Sequence, residues 1–201
     1  MFSVNIDKLI DVSSDELKTY DELAENVLDE LKQEKTFSVI TGGLGAFKLA
    51  YVIHNKGKRV LFIDADISSK IFVGKYKLGK NIPGVIDFLK DVDKARGLVC
   101  HTNKKKFDII FTGNVDGVKL TFENEMIMKG LLDTFSKEYD IIIVDSDKSG
   151  MAAKFCASSV LMVDEELCND EEKIDNMINE LEKKGCNVKG VVINERDKQI
   201  Y

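Results

Sequence analysis

Thr36-Phe37-Ser38-Val39-Ile40-Thr41-Gly42-Gly43-Leu44-Gly45-Ala46-Phe47-Lys48 is the stretch from which the fold is read. Its first half is an apolar run of strand length, predicted as a strand over 36–41. Three glycines in four positions follow, and a helical pattern opens behind them, predicted over 46–56. A glycine-rich turn between a strand and a helix lets backbone N–H groups approach a phosphate and cradle it. A generic turn does not need three glycines so close together. Gly42, Gly43 and Gly45, with Ala46, Phe47 and Lys48 behind them, are therefore the candidate nucleotide-binding residues.

Working outward, short apolar runs alternate with helical patterns. Further strands are predicted over 59–64, 107–112, 140–145, 159–163 and 188–193, and helices over 123–137 and 170–184. Runs such as Ile141-Ile142-Ile143-Val144 are almost continuously apolar. Strands of that kind are buried on both faces, as in a parallel sheet covered by helices. The alternation implies right-handed βαβ units, hence an α/β fold: a doubly wound, mostly parallel sheet of six or more strands flanked by helices. Ahead of it, 14–35 reads as an amphipathic helix with Leu17, Tyr20, Leu23, Val27 and Leu31 on one face and Ser13 or Ser14 as cap. No repeat or low-complexity segment divides the chain, so 1–201 is expected to be one domain.

In such folds ligands sit beyond the carboxyl ends of the strands. Asp64 and Asp66 follow the second strand, and Asp145 ends the fourth. Carboxylates there can hold Mg²⁺ or its waters, or accept a proton from a nucleophile. Asp64 and Asp66 are the candidate catalytic residues, and Asp64, Asp66 and Asp145 the candidate Mg²⁺ ligands if nucleotide binds. A lone Asp at a strand end is more often a cap for the next turn, but three on one rim weaken that reading. Asn194 ends the last strand and is positioned to read a base edge or to cap a turn.

The bulk composition excludes several classes. Among 201 residues the net charge is -6, so no basic field draws nucleic acid and no nucleic-acid partner is expected. The one basic run, Lys104 to Lys106, reads as a solvated turn. Four widely spaced cysteines fit no zinc pattern and are expected to be reduced. No signal peptide opens the chain and no apolar run approaches the ~20 residues of a membrane span. A cytoplasmic protein is expected, without direct membrane insertion.

Several stretches together resemble the MinD/ParA-like P-loop ATPases, most of all the bacterial tyrosine kinase branch of the CpsD/CapB capsule type. Gly57–Ser68, GKRVLFIDADIS, resembles that group's GKRVLLIDADLR. Pro83–Asp91, PGVIDFLKD, resembles its GLSDFL element. Phe122–Asp145 ends in YDIIIVD, similar to YDxVIID, and Glu180–Asn194 ends in VKGVVIN, similar to VLGVVLN. The likeness covers nearly the whole chain. It implies a P-loop NTPase fold of the deviant Walker type, ATP with Mg²⁺ as cofactor, protein partners including a membrane-anchored adaptor, and a homo-oligomer.

The departures from that pattern shape the expected function. In one register of the Walker A motif, Thr41 replaces the signature lysine, Ala46 the phosphate-gripping lysine and Phe47 the Mg²⁺ hydroxyl. In the other, Lys48 keeps the lysine, Phe47 fills a glycine position and Leu49 replaces the hydroxyl. Either places a Phe ring where backbone must approach phosphate. The helix behind the loop is expected to be about a turn short. Asp147 adds negative charge, Lys148 offsets it, and Lys48 or Lys148 is expected to pair with the rim aspartates. Of the kinase group's tyrosine cluster only Tyr201 remains.

A catalytically impaired, P-loop ATPase-like regulatory or scaffolding protein is therefore expected, with no cofactor or with ATP/Mg at weakened affinity. Its setting would be a cell-envelope assembly such as polysaccharide export or a pilus-type apparatus, which it reaches through a partner. The alternatives are an active CpsD/CapB-type tyrosine kinase with an unconventional loop, and a ParA/MinD-type partitioning or positioning protein.

Overall fold

A computed structural model describes residues 3–10, 13–69, 71–77, 82–95, 97–115 and 121–194. Its strands are β1 (Ser3–Val4), β2 (Thr36–Ile40), β3 (Val60–Ala65), β4 (Cys100–Thr102), β5 (Phe107–Ile110), β6 (Ile141–Ser146), β7 (Ser158–Asp164) and β8 (Val188–Asn194). Its helices are α1 (Ser14–Leu31), α2 (Leu44–Asn55), α3 (Val85–Lys90), α4 (Phe122–Phe135) and α5 (Glu171–Lys183). One eight-stranded sheet runs in the order β1-β4-β5-β3-β6-β2-β7-β8. Every neighbouring pair is parallel except β4 with β5, which form a hairpin.

The apolar runs are continuous because each face of the sheet has its own core. Alternate residues of a strand point to opposite faces. Phe37, Val39, Val60, Phe62, Phe107, Ile141, Ile143, Val160 and Met162 pack beneath α1 and α2. Leu61, Ile63, Ile110, Ile142 and Val144 pack beneath α3 and α4, while Ile40, Leu161 and Val163 pack under α5. This is the doubly wound arrangement the sequence implied.

The α1 helix differs in detail from expectation. Its buried face is Tyr20, Ala24, Val27 and Leu31, whereas Leu17 is exposed. Ser13 is the cap: its hydroxyl accepts from the Glu16 N–H, and Glu16 Oε2 accepts from the Ser13 N–H at 2.9 Å. This reciprocal box fixes where the helix starts. The run Lys104 to Lys106 is the turn of the β4–β5 hairpin, with Lys104 paired to Asp7 at 2.8 Å. The four cysteines are free, and three of them are buried.

Candidate functional site

The β2 strand sits between β6 and β7, so the loop that leaves it lies beside the end of β6. Thr41 takes φ +59°, a conformation a β-branched residue adopts only when its surroundings impose it. Two bonds do so here. Its N–H donates to Ser146 O at 2.7 Å and its hydroxyl to Met162 O at 2.6 Å. Thr41 is thus spent in fixing the loop to both neighbouring strands.

The glycines stand close to neighbouring side chains. Gly43 caps α2 at φ +50°, and a Cβ there would stand 2.8 Å from the Ile71 side chain. At Gly45 a Cβ would meet Met162 Sδ at 2.7 Å and Tyr20 Oη at 3.1 Å. The positive φ at Gly43 therefore favours glycine apart from any phosphate, and a side chain at Gly45 would have to displace the end of Met162.

The loop's N–H groups point inward. The Gly43 N–H donates to Asp145 Oδ1 at 3.0 Å. Gly45 and Ala46 donate to Gly42 O at 2.9 and 3.4 Å, and Phe47 donates to Gly43 O at 3.3 Å. A phosphate nest needs such donors turned outward together. In this arrangement a carboxylate of the chain itself takes the donor at the apex of the turn.

Phe47 does not stand in the loop mouth. Its ring is fully buried, edge-on to Phe62 and Phe107 with centroids 5.4 and 5.5 Å apart, and 5.8 Å from Phe72. The expected steric block by the ring is replaced by a core contact, because the fourth residue of α2 faces the sheet. Ala46 and Leu49 are likewise buried. Lys48, the fifth residue of α2, is 5% exposed and its Nζ pairs with Glu16 Oε1 at 2.7 Å. Burial pushes the Glu16 carboxyl up, but the Lys48 ammonium and the Ser13 N–H outweigh it and hold the group at about 2.

Asp64, Asp66 and Asp145 lie on one strand-end rim, and each is separately engaged. Asp64 and Asp145 are register partners on β3 and β6. Thr112 donates a short hydrogen bond to Asp64 Oδ2. Burial, reinforced by the Asp66 charge and opposed by Thr112, pushes Asp64 up to about 7. Burial and the Asp64 charge push Asp145 well above the carboxylate range, against the Gly43 N–H. Asp145 Oδ2 is buried without a hydrogen-bond partner. Asp66 Oδ1 folds onto its own turn, accepting from the Ser68 and Ser69 N–H groups at 2.8 and 3.0 Å. Asp147 does the same with Ser149.

Lys148 is exposed and forms no ion pair among the described residues. The expected pairing of Lys48 or Lys148 with the rim aspartates is therefore replaced by the Lys48–Glu16 pair. Asn194 is exposed at the end of the edge strand β8, separated from the loop by β7. Tyr201 lies outside the described residues. Sequence reasoning missed Glu16 and Thr112 as members of the site. The Ser13-x-x-Glu16 box was a signal for the first; nothing local marked the second.

Mg²⁺–nucleotide does not fit these residues as arranged. The apex N–H is taken by Asp145, and both candidate hydroxyl positions carry core hydrophobics, Phe47 and Leu49. Among the described residues no group of three His, Cys, Asp or Glu is arranged to hold a metal ion.

Comparison with known proteins completes the picture. A protein-family profile described as an AAA domain matches residues 40–167, well over half of the chain. The tyrosine-protein kinase etk of Escherichia coli K12 is 27% identical over 152 residues, covering 73% of this chain and 21% of its own length. CpsD of Streptococcus pneumoniae serotype 4, also a tyrosine-protein kinase, is 25% identical over 159 residues, covering 76% and 69%. The chain thus spans about a fifth of the first relative. Among solved structures, the kinase domain of Escherichia coli ETK superposes with TM-score 0.75 at 21% identity, covering 92% of this chain and 78% of that one. MinD of Pyrococcus horikoshii, solved with Mg-ADP, gives TM-score 0.57 at 17% identity, covering 83% and 72%. These likenesses are of fold. No described helix is long and apolar enough to cross a membrane.

Proposed function

Since this chain belongs to the AAA domain family and is related to bacterial tyrosine kinases, we propose that it keeps their scaffold and has given up phosphoryl transfer. Its role would be regulatory or scaffolding, within a cell-envelope assembly such as polysaccharide export or a pilus-type apparatus. A membrane-anchored protein partner would bring it there, and self-association would fit the same role.

The observation that carries this reading is the Gly43 N–H bonded to Asp145 Oδ1. Catalysis of phosphoryl transfer is mostly positioning and charge neutralisation. Losing one preorganised donor costs on the order of ~3 kcal/mol, or ~10²-fold in rate or more. Here the apex donor, the lysine and the Mg²⁺ hydroxyl are all absent from the phosphate position. Incubation with Mg-ATP followed by mass spectrometry tests this. No phosphotyrosine on Tyr201 or elsewhere, and no phosphate release above background, is expected.

A second reading is an active tyrosine kinase or ATPase whose loop opens only on nucleotide. The etk and CpsD likeness and the retained Asp64, Asp66 and Asp145 favour it. Phosphate on Tyr201 that disappears in Asp145→Asn would establish it. A ParA/MinD-type positioning role has only the fold in its favour.

A further inference from the structure

We propose that β8 is a dimer interface: its free outer edge pairs, antiparallel, with the same edge of a second copy of this chain, about a twofold axis at Val192. This rests on the self-association proposed above and is independent of the phosphate loop. The experiment therefore needs no nucleotide, and its failure is read apart from that of the proposed loss of phosphoryl transfer.

The β8 strand closes one side of the sheet and, among the described residues, is paired with β7 alone. A seven-residue edge strand offers a row of unpaired N–H and C=O groups. The strand at the opposite side, β1, has only two residues. Long edges are ordinarily blunted by charged side chains, proline or a bulge. The one irregularity in the β7–β8 ladder lies at Ser159/Val160, at the start of β8. The one charged residue of β8, Lys189, is drawn to Glu30 of α1 at 3.0 Å. The run that remains, Gly190-Val191-Val192-Ile193-Asn194, carries neither charge, proline nor bulge.

That run also leaves apolar side chains in water. Register partners in a parallel pair face the same way. Val191 and Ile193 are partnered by Leu161 and Val163, which pack under α5. Yet Val191 is 38% and Ile193 56% exposed. The α5 helix thus covers β7 and stops short of the edge. On the other face a Cβ at Gly190 would meet nothing within 4 Å.

The register singles out a second copy as the occupant. Two copies related by a twofold through the sheet join like edges antiparallel. Opposite residues then share a face, so the axis falls on one residue of the strand. At Val192 it sets Val191 of each copy against Ile193 of the other, and all four exposed apolar side chains meet across the junction. At Val191 it would set Ile193 against Lys189. At Ile193 it would set Val191 against a residue past the end of β8. Cross-strand pairs of this kind are the unit of sheet stabilisation, and β-branched residues pack well in them. With β8 used on both sides and β1 too short to add a strand, assembly stops at the dimer.

The test is sedimentation equilibrium of the full chain, from low micromolar to hundreds of micromolar, for wild type, Val191→Lys, Ile193→Glu and an equimolar mixture of the two variants. Circular dichroism and urea midpoints establish that each is folded, as the exposure of both positions leads one to expect. Ile193→Thr, β-branched and uncharged, stands in if a charged variant fails to fold, and should weaken the dimer by a smaller factor. Wild type is expected to show a monomer–dimer equilibrium. Each charged variant alone should dissociate roughly tenfold or more readily. The mixture should regain the dimer, because Val191→Lys on one chain faces Ile193→Glu on the other while the second Val191–Ile193 pair is intact. A wild type that stays monomeric throughout overturns the proposal, and is the result expected if a strand of another protein takes this edge. A dimer unchanged in both variants, a dimer lost in both and not regained in the mixture, or assembly beyond the dimer also overturns it.

Discussion

Asp64→Asn offers a quantitative probe of the rim. Asp64 is 4% exposed, and burial, aided by the Asp66 charge, lifts its carboxyl from 3.8 to about 7. The folded protein therefore holds this proton more tightly than the unfolded chain. The contribution of Asp64 to stability is full below about pH 4 and is lost as pH rises toward 7, levelling off above it. A gap of about three pKa units corresponds to at most roughly 4 kcal/mol, of which about 2–3 kcal/mol is lost between pH 5 and 8.5. Asparagine keeps an acceptor for the Thr112 hydroxyl and carries no charge to desolvate. Urea unfolding at a series of pH values should show wild-type stability falling by at least about 2–3 kcal/mol from pH 5 to 8.5, the share that Asp64 contributes. The variant should fall less steeply, though not flatly, because Asp145 titrates in the same sense. It should exceed wild type at pH 8.5 by roughly 2 kcal/mol. Parallel curves for the two proteins would refute the argument.

At the acid end the sign reverses. Glu16 is held at about 2 against 4.5 unfolded, so its contribution is present above pH 4.5 and is lost as pH falls toward 2. With the side chain 34% exposed, solvent screening limits it to about 1–2 kcal/mol, read as a smaller acid-induced loss in Glu16→Gln than in wild type. Phe47→Ala should cost about 3–5 kcal/mol by thermal or urea unfolding, because it empties the centre of an aromatic cluster. For the same reason the double substitution Ala46→Lys with Phe47→Thr, which would rebuild one Walker A register, should lower the unfolding midpoint without conferring Mg-ATP binding. Gly45→Ala should destabilise by about 1–3 kcal/mol, since its Cβ meets Met162 Sδ at 2.7 Å; Met162→Ala beside it should recover part of that loss.

Five of the six predicted strands, β2, β3, β5, β6 and β7, were legible because they are buried on both faces, as in a covered parallel sheet, whereas the edge strand β8 was read from an apolar run that the structure leaves partly exposed at Val191 and Ile193. The two strands that were not are short: β1 has two residues and β4 three, too few for any periodicity to register. The six-residue α3 escaped for the same reason. In α1 the expected apolar face included Leu17, while the structure buries Ala24 instead, because close approach of α1 to α2 favours a small residue. At the site, position was legible and direction was not. The glycines and the rim aspartates stand where strand ends put them. Whether Gly43 faces a phosphate or Asp145 depends on a contact between residues 102 apart, and the course of Lys48 on one between residues 32 apart. The Phe47 ring could have been placed inward from the apolar pattern of its own helix, since Phe47, Ala50 and Ile53 recur along the buried face.

In this chain its own Asp145 side chain takes the apex donor of the phosphate loop, the Gly43 N–H. Titration of Mg-ATP into the wild-type protein by isothermal calorimetry tests it most directly. No saturable heat is expected at millimolar nucleotide. A one-site isotherm with micromolar affinity, abolished by Lys48→Met, would contradict it.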